Sequence, residues 1–387
     1  MQNKKKLIIG ITGIRSEYDI MSSVYEEIDK RESLDLKLIV TGAHLSKKYG
    51  ETINEIKNDR FEIIRTIDSL QEENNSGSRV VGLGIQLQKI ALDLHSLKPD
   101  FLIVLGDREE SMTAGLLAAY MNIPLIHIGG GDRVVGNVDD QVRHSVTKLA
   151  HIHCTTNEES KGRILRLGEQ PFRVFNFGNP GLDRLIKTPK ISINKLYELK
   201  GFIDEYEPYL LLIQHPISSE IEKSKSQIEI TMEAIKEMEI KTIIIYPNSD
   251  VGSNEIIKTI NKYKKFEFIK LIKNIPRLSF VNILRNTSCL LGNSSCGILE
   301  APILKIPVIN IGNRQKGRLH SENVKFVDHD KKQIKDAISQ ALYDKDYIKS
   351  IQNCSNPYGD GNSSEKIVNL IDSLIIDDNL LIKDITY

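Results

Sequence analysis

The sequence predicts an α/β protein made of two doubly wound domains, each a parallel sheet covered by helices. Three observations predict it. Short β-branched or Leu-rich runs alternate with longer, charge-rich amphipathic segments along the chain. The short runs are continuously apolar rather than alternating, the pattern of strands buried on both faces. At 387 residues the chain also exceeds what one ordinary core holds.

In order, the expected strands of the first half are "KLIIGIT" (6–12), "LKLIV" (36–40), "DFLIVLG" (100–106), "PLIHI" (124–128) and "RVFNF" (173–177). Those of the second are "YLLLIQH" (209–215), "KTIIIYP" (241–247), "FEFIKLI" (266–272), "SCLLGN" (288–293) and "PVINIG" (307–312). Segments 78–97, 110–121 and 220–239 are long enough for crossover helices. Between them, 184–207 is charged and shows no strand, which places the boundary there. The domains are read as 1–190 and 191–359, with a helix from about 360–387 returning to the first.

Composition narrows the function. Lys plus Arg and Asp plus Glu both number 52, so no broad field exists to hold nucleic acid or an anionic membrane. The "KKK" at 4–6 reads as a solvated strand entry. No apolar run reaches the roughly 20 residues of a membrane span, and no signal-peptide core opens the chain. Cys154, Cys289, Cys296 and Cys354 are scattered, which reads as a reduced cytoplasmic protein. "HIHC" (151–154) has the look of metal ligands but reads as a strand with one face buried; no metal site is expected.

The unusual residues respect the strand ends. "TGIRSEYD", "GDRE", "GGGDR" and "FGNPG" follow strands of the first half; "HP", "YPNSD", "GNSSCG" and "GNRQKGR" follow strands of the second. Ligands of open parallel sheets bind beyond those carboxyl ends. "GNSSCGILEAP" (292–302) is the anion candidate: Gly297 permits a tight turn, Ser294 and Ser295 offer hydroxyls, and a helix begins there, with Glu300 one turn in as a cap or a ribose acceptor. Arg15, Arg108 and Arg314, each just past a strand, suit phosphate oxygens as a set. His215 reads equally as a phosphate donor, a proton carrier or a strand-end histidine, and Asn248 in "YPN" as a further binding residue. No P-loop motif occurs.

Asp107, Asp132 and Asp139 are the acid–base candidates. Asp107 ends an apolar strand, where partial desolvation raises a carboxyl's pKa. Asp132 and Asp139 bracket the loop of "HIGGGDRVVGNVDDQVRH" (127–144), whose glycines read as positive φ or close approach to a ligand. Asp139 is also a candidate helix cap, and Arg143 and His144, one turn later, read as support for that helix.

These motifs, with "DDQVRHSVTKLAH" and "GNSSCGI…PVINIGNRQ" the most specific, resemble the UDP-N-acetylglucosamine 2-epimerase family over roughly the first 325 residues. The likeness is to its hydrolysing branch, which feeds sialic or legionaminic acid synthesis. It implies a GT-B-like fold of two Rossmann-like domains with the active site in the interdomain cleft. It implies conversion of UDP-GlcNAc to UDP and free N-acetylmannosamine through a 2-acetamidoglycal, no cofactor, and a homodimer or homotetramer. Carboxylates then move protons at C1–C2, while the arginines, His215 and the 292–297 loop stabilise the departing diphosphate.

One position departs from the family pattern. Where relatives commonly carry a catalytic glutamate this chain has Gly129, and the loop from Asp132 to Asp139 is one residue longer. Either Asp132 replaces that carboxylate, or the sugar differs, or activity is lost; the first two together fit the retained cleft residues. The alternatives are the same reaction on UDP-2,4-diacetamido-2,4,6-trideoxyglucose or a GDP-linked sugar, a non-hydrolysing epimerase, a GT-B glycosyltransferase and a non-catalytic nucleotide-sugar sensor.

Overall fold

The computed structural model describes residues 5–71, 76–133, 138–204, 207–247, 252–273 and 275–387. The chain divides into two compact units. Unit 1 comprises 1–186 and 358–387, and unit 2 comprises 187–357.

Unit 1 holds a seven-stranded sheet among the described residues. Its strands are β1 (Lys6–Thr12), β2 (Leu34–Thr41), β3 (Ile63–Ile67), β4 (Phe101–Leu105), β5 (Leu125–Ile128), β6 (Ile152–Thr155) and β7 (Val174–Asn176). They lie in the order β3-β2-β1-β4-β5-β6-β7, and every pairing is parallel. Alternate residues of each central strand go to opposite faces. Ile8 of β1 and Ile103 of β4 join one cluster with Tyr18, Val24 and Ile371, whereas Ile9 and Leu102 join another with Ile90, Ala114 and Val146. Both faces are therefore dry, which is why these strands read as unbroken apolar runs.

Unit 2 repeats the plan. Strands β8 (Leu210–Ile213), β9 (Thr242–Ile245), β10 (Ile269–Ile272), β11 (Cys289–Gly292), β12 (Val308–Ile311) and β13 (Val324–Val327) form a parallel sheet in the order β10-β9-β8-β11-β12-β13. In both sheets the strand order reverses once, between β1 and β4 and between β8 and β11. Such a reversal opens a crevice at the carboxyl ends of the two strands.

Three sequence expectations are corrected. β3 and β13 were not foreseen, because both are sheet edges with exposed positions that dilute the apolar signal. "HIHC" lies in and beside β6, which is buried on both faces rather than one. There His151 Nδ1 accepts from the Leu125 amide (3.1 Å) and His153 Nε2 meets Glu169 (3.1 Å). Lys6 of the "KKK" is not a solvated entry: its ammonium donates to the carbonyls of Ile371 (3.3 Å), Asp372 (2.5 Å) and Leu374 (2.9 Å). It thereby satisfies the end of helix Ser363–Ser373, whose last carbonyls lack helical partners.

That helix packs Ile367, Val368 and Ile371 into the core of unit 1. Its start is fixed by Asp183, which accepts from the amides of Ser363 (3.1 Å) and Ser364 (2.6 Å). Asp183 is 1% exposed, so water cannot replace it. Asp183→Ala should therefore cost about 2 kcal/mol of unfolding free energy in urea, and Asp183→Asn, which keeps one acceptor, about half of that.

Candidate functional site

The site in unit 1 begins with a turn. Gly106, at φ 75°, leads the chain out of β4 in a conformation that costs glycine little, and Asp107 follows at the sheet edge. Helix Val138–Leu149 brings Arg143 to the same edge. Its guanidinium side chain is 11% exposed and forms a short ion pair with Asp107, itself 17% exposed. Arg143 Nη1 also donates to the Gly129 carbonyl (3.1 Å) and lies 3.5 Å from Asp132 Oδ2. Asp107 is thus largely out of solvent, against a buried cation. Arg143 is more than helix support: it gathers the loops after β4 and β5.

Asp132 is held from its other side. Its Oδ1 accepts from Ser160 Oγ (2.6 Å), Thr156 Oγ1 (2.7 Å) and Asn157 Nδ2 (3.4 Å). Three donors on one oxygen fix the carboxylate's orientation and leave Oδ2 toward Arg143.

The glycines have causes within the protein itself. A Cβ on Gly130 would stand 2.9 Å from His127 Nδ1, and one on Gly131 would meet the Ser160 carbonyl and Ile164. Both positions are small because the protein packs on itself, not because they clear space for a sugar. Gly129 is different again. The nearest atom to a Cβ there is Leu105 Cδ1 at 3.5 Å, so its φ of 72° rather than crowding disfavours a side chain.

Beneath this edge sits His127, fully buried, whose Nε2 donates to the Gly106 carbonyl (2.7 Å). Burial pushes its pKa down to about 3, so it stays neutral. Thr147 of the Arg143 helix lies against its other nitrogen at 3.5 Å.

The remaining candidates of unit 1 have partners or surroundings of their own. Arg15 pairs with Glu55 (3.0 Å). Arg108 stands at the N-cap of helix Glu109–Met121 with its side chain 45% exposed. Asp139 lies inside the first turn of its helix, where its charge is felt by Arg79, and His144 lies 3.7 Å from Asp140.

Two buried acids went unnoticed in the sequence. Glu17 and Glu110, both about 5% exposed or less, converge on Gly13 at the switch point of the sheet. Glu17 accepts from the Gly13 amide (3.3 Å), and Glu110 from Gln86 Nε2 (3.2 Å). Glu110 occupies the space a Gly13 side chain would need. Burial, reinforced by Glu110, holds the Glu17 pKa well above the usual carboxylate range, and burial raises that of Glu110.

In unit 2 the organiser is Asn293, which was also not foreseen. It is 1% exposed, and its side chain clamps the backbone of residue 215: Oδ1 accepts from His215 N (2.7 Å) and Nδ2 donates to His215 O (2.9 Å). Its own carbonyl accepts from Arg314 Nη1 (3.1 Å) and Gln315 Nε2 (2.9 Å). His215, Ser294 and Arg314 are thereby brought to the switch point between β8 and β11, with Ser295 next in the chain. Gly292, at φ 110°, passes against the Ile213 carbonyl, and Gly297 packs on Val308.

The helix expected after this loop has one turn, Cys296–Leu299. Glu300 therefore follows its end instead of lying one turn inside it, and an anion here would depend on Ser294, Ser295 and Arg314 more than on a helix dipole. Asn248 lies outside the described residues. A cavity of about 880 Å³, lined by Lys241, Arg285 and Lys305 among others, opens at the amino edge of the same sheet, away from these groups. Among the described residues no cluster of His, Cys, Asp and Glu could hold a metal, and no helix is long and apolar enough to cross a membrane.

The buried acids give a signed prediction. Glu17 and Glu110 bind protons more tightly in the folded chain, so their contribution to stability falls as pH rises above about 4.5. Glu110→Gln removes one such loss. The variant's Tm should gain on the wild type by a few degrees between about pH 4.5 and 7, and a gap flat with pH in calorimetry contradicts the assignment.

Comparison with known proteins agrees with this geometry. The sequence profile of the UDP-N-acetylglucosamine 2-epimerase family matches residues 26–372. The chain is 36% identical to the UDP-N,N'-diacetylbacillosamine 2-epimerase (hydrolyzing) of Legionella pneumophila, over 97% of this chain and 98% of that one. It is 33% identical to polysialic acid biosynthesis protein P7 of Escherichia coli, over 98% and 97%. In structure it is similar to the Neisseria meningitidis UDP-GlcNAc 2-epimerase bound to UDP-GlcNAc, at TM-score 0.75 and 22% identity over 94% of this chain and 99% of that one. Two Rossmann-like sheets in GT-B-like order, a carboxylate cluster on one, a polar loop on the other and these relatives lead to one assignment: the chain belongs to the UDP-N-acetylglucosamine 2-epimerase family, on the side of its hydrolysing members.

Proposed function

We propose that the protein is a hydrolysing nucleotide-sugar 2-epimerase acting on a UDP-linked 2-acetamido sugar. The observation that carries this reading is the Arg143 guanidinium between Asp107 and Asp132 at the carboxyl edge of the unit 1 sheet. In this reading UDP leaves C1 as a carboxylate takes the C2 proton, giving a 2-acetamidoglycal. Water then adds across the double bond, hydroxide at C1 and a proton at C2 on the opposite face, and the free sugar emerges inverted at C2.

Asp107 is the proposed base. It needs to be ionised to accept the C2 proton, and its ion pair with Arg143 favours that state. Asp132, with Oδ1 fixed by three donors, takes the place of the glutamate that the family resemblance implies at the position of Gly129 and acts through Oδ2. In unit 2, His215, Ser294, Ser295 and Arg314 bind the nucleoside diphosphate and stabilise charge as it departs. No step calls for a metal or a redox cofactor.

UDP-GlcNAc, yielding N-acetylmannosamine, is the first substrate. The second is UDP-2,4-diacetamido-2,4,6-trideoxyglucose, another name for UDP-N,N'-diacetylbacillosamine, which appears in the names of the Legionella relative and of one from Campylobacter jejuni. The absence of a side chain at Gly129 favours the sugar with the extra C4 substituent. Incubation with each nucleotide sugar and NMR of the products tests both. Release of free C2-inverted sugar is expected, and epimerised sugar still carrying its nucleotide overturns the hydrolysing assignment.

Two substitutions test the roles. Asp107→Asn should lower kcat by about 10³-fold or more while UDP affinity stays within about twofold; unimpaired turnover removes Asp107 from the mechanism. Asp132→Asn keeps the acceptor for Ser160 and Thr156 but loses the charge facing Arg143. A fall in kcat of about 10²-fold is expected, and wild-type activity would sink the replacement idea.

A further inference from the structure

The carboxyl-terminal residues of unit 1 end on the helix that carries Arg143. After helix Ser363–Ser373 the chain forms one turn at Asp378–Leu381. There the fully buried Arg173 donates to the carbonyls of Asn379 (2.7 Å), Leu380 (2.7 Å) and Ile382 (2.8 Å). With His151 O (3.3 Å) and Gln170 Oε1 (2.7 Å), its whole donor fork is engaged, so the strap is fixed up to Ile382.

Lys383 comes next. Its ammonium donates to the carbonyls of Lys148 (2.7 Å), Ala150 (2.5 Å) and Thr147 (3.5 Å), at the carboxyl end of helix Val138–Leu149. Those carbonyls have no partner within the helix, and a cation there also meets the negative end of the helix dipole. Glu169, 1% exposed, holds Lys383 in place through Oε2 (2.9 Å) and Lys148 through Oε1 (2.6 Å). Beyond it, Thr386 N donates to Gly168 O (3.2 Å), and Tyr387 covers Gly168, where no side chain would fit.

The helix so anchored carries Thr147 against His127 and, one turn earlier, Arg143 on Asp107, the Gly129 carbonyl and Asp132. We propose that Lys383 is a positioning residue for catalysis: by tying down the end of this helix it sets the Arg143 guanidinium against the two carboxylates. The inference rests on the assignment of Asp107 to proton transfer.

The test uses the full chain. Lys383→Met should speed hydrogen–deuterium exchange in 138–149 and lower kcat about tenfold or more, because small displacements of catalytic groups are costly. KM should stay within about twofold, and Lys383→Arg, which keeps the charge, should restore both readouts. Ile371→Val, which thins the core of the same unit, controls for lost stability and should leave kcat unchanged. If Lys383→Met does not fold, Lys383→Gln, which keeps a donor, takes its place with the same direction expected. Unchanged exchange in 138–149 overturns the proposal whatever the substrate, as does faster exchange with an unchanged kcat. Full activity of Asp107→Asn would instead overturn the reading of the site, which separates the two failures.

Discussion

A guanidinium in a nearly dry site must be matched by anions, and Arg143 is such a group. Stripping it of water costs several kcal/mol unless carboxylates and carbonyls replace the lost solvation. Asp107, Asp132 and the Gly129 carbonyl do so, and they come from the loops after two neighbouring strands, β4 and β5. One cation therefore fixes the relative position of two loops and a helix. It also offsets the mutual repulsion of two carboxylates that face the same guanidinium. The Glu17–Glu110 pair shows the contrast: among the described residues no cation is hydrogen-bonded to it, Arg108 acts on it only through its charge, and burial drives both acids toward the protonated form.

The carboxyl edges of the two sheets are chemically unlike. That of unit 1 presents carboxylates organised by one arginine. That of unit 2 presents neutral donors and acceptors around Asn293, with Arg314 and His215 beside them. In the proposed reaction the former would take the proton from carbon and the latter would hold the leaving diphosphate. The same strand order thus carries two chemically different edges, and the difference lies in the residues that follow the strands.

Much of this was legible in the sequence because buried parallel strands stop being apolar where the sheet ends. Asp107, His215, Ser294 and Arg314 could be placed at carboxyl edges on that ground alone. What was not legible depended on direction. Arg143 read as helix support because its partners depend on helix phase and on the path of the glycine loop, neither of which spacing reveals. Asn293 drew no reading of its own, although its amide closes on the backbone of residue 215, 78 positions away. Glu17 and Glu110 drew no reading, since a buried acid has no sequence signature. The edge strands β3 and β13 were missed for the opposite reason: being half exposed, they carry too little apolar signal.

Gly129 is constrained by its backbone rather than by the space around it. Its carbonyl accepts from Arg143, its φ is left-handed, and a Cβ there would meet only ordinary contact with Leu105. Any side chain there would be strained by the left-handed backbone, and relieving that strain would shift the carbonyl that the buried guanidinium holds. The next carboxylate along the chain, Asp132, is the one that Arg143 and the Thr156, Asn157 and Ser160 donors hold in place. The path of three glycines delivers that carboxylate to the cation, and this sequence thereby keeps an acid at the site while leaving the position before it without a side chain.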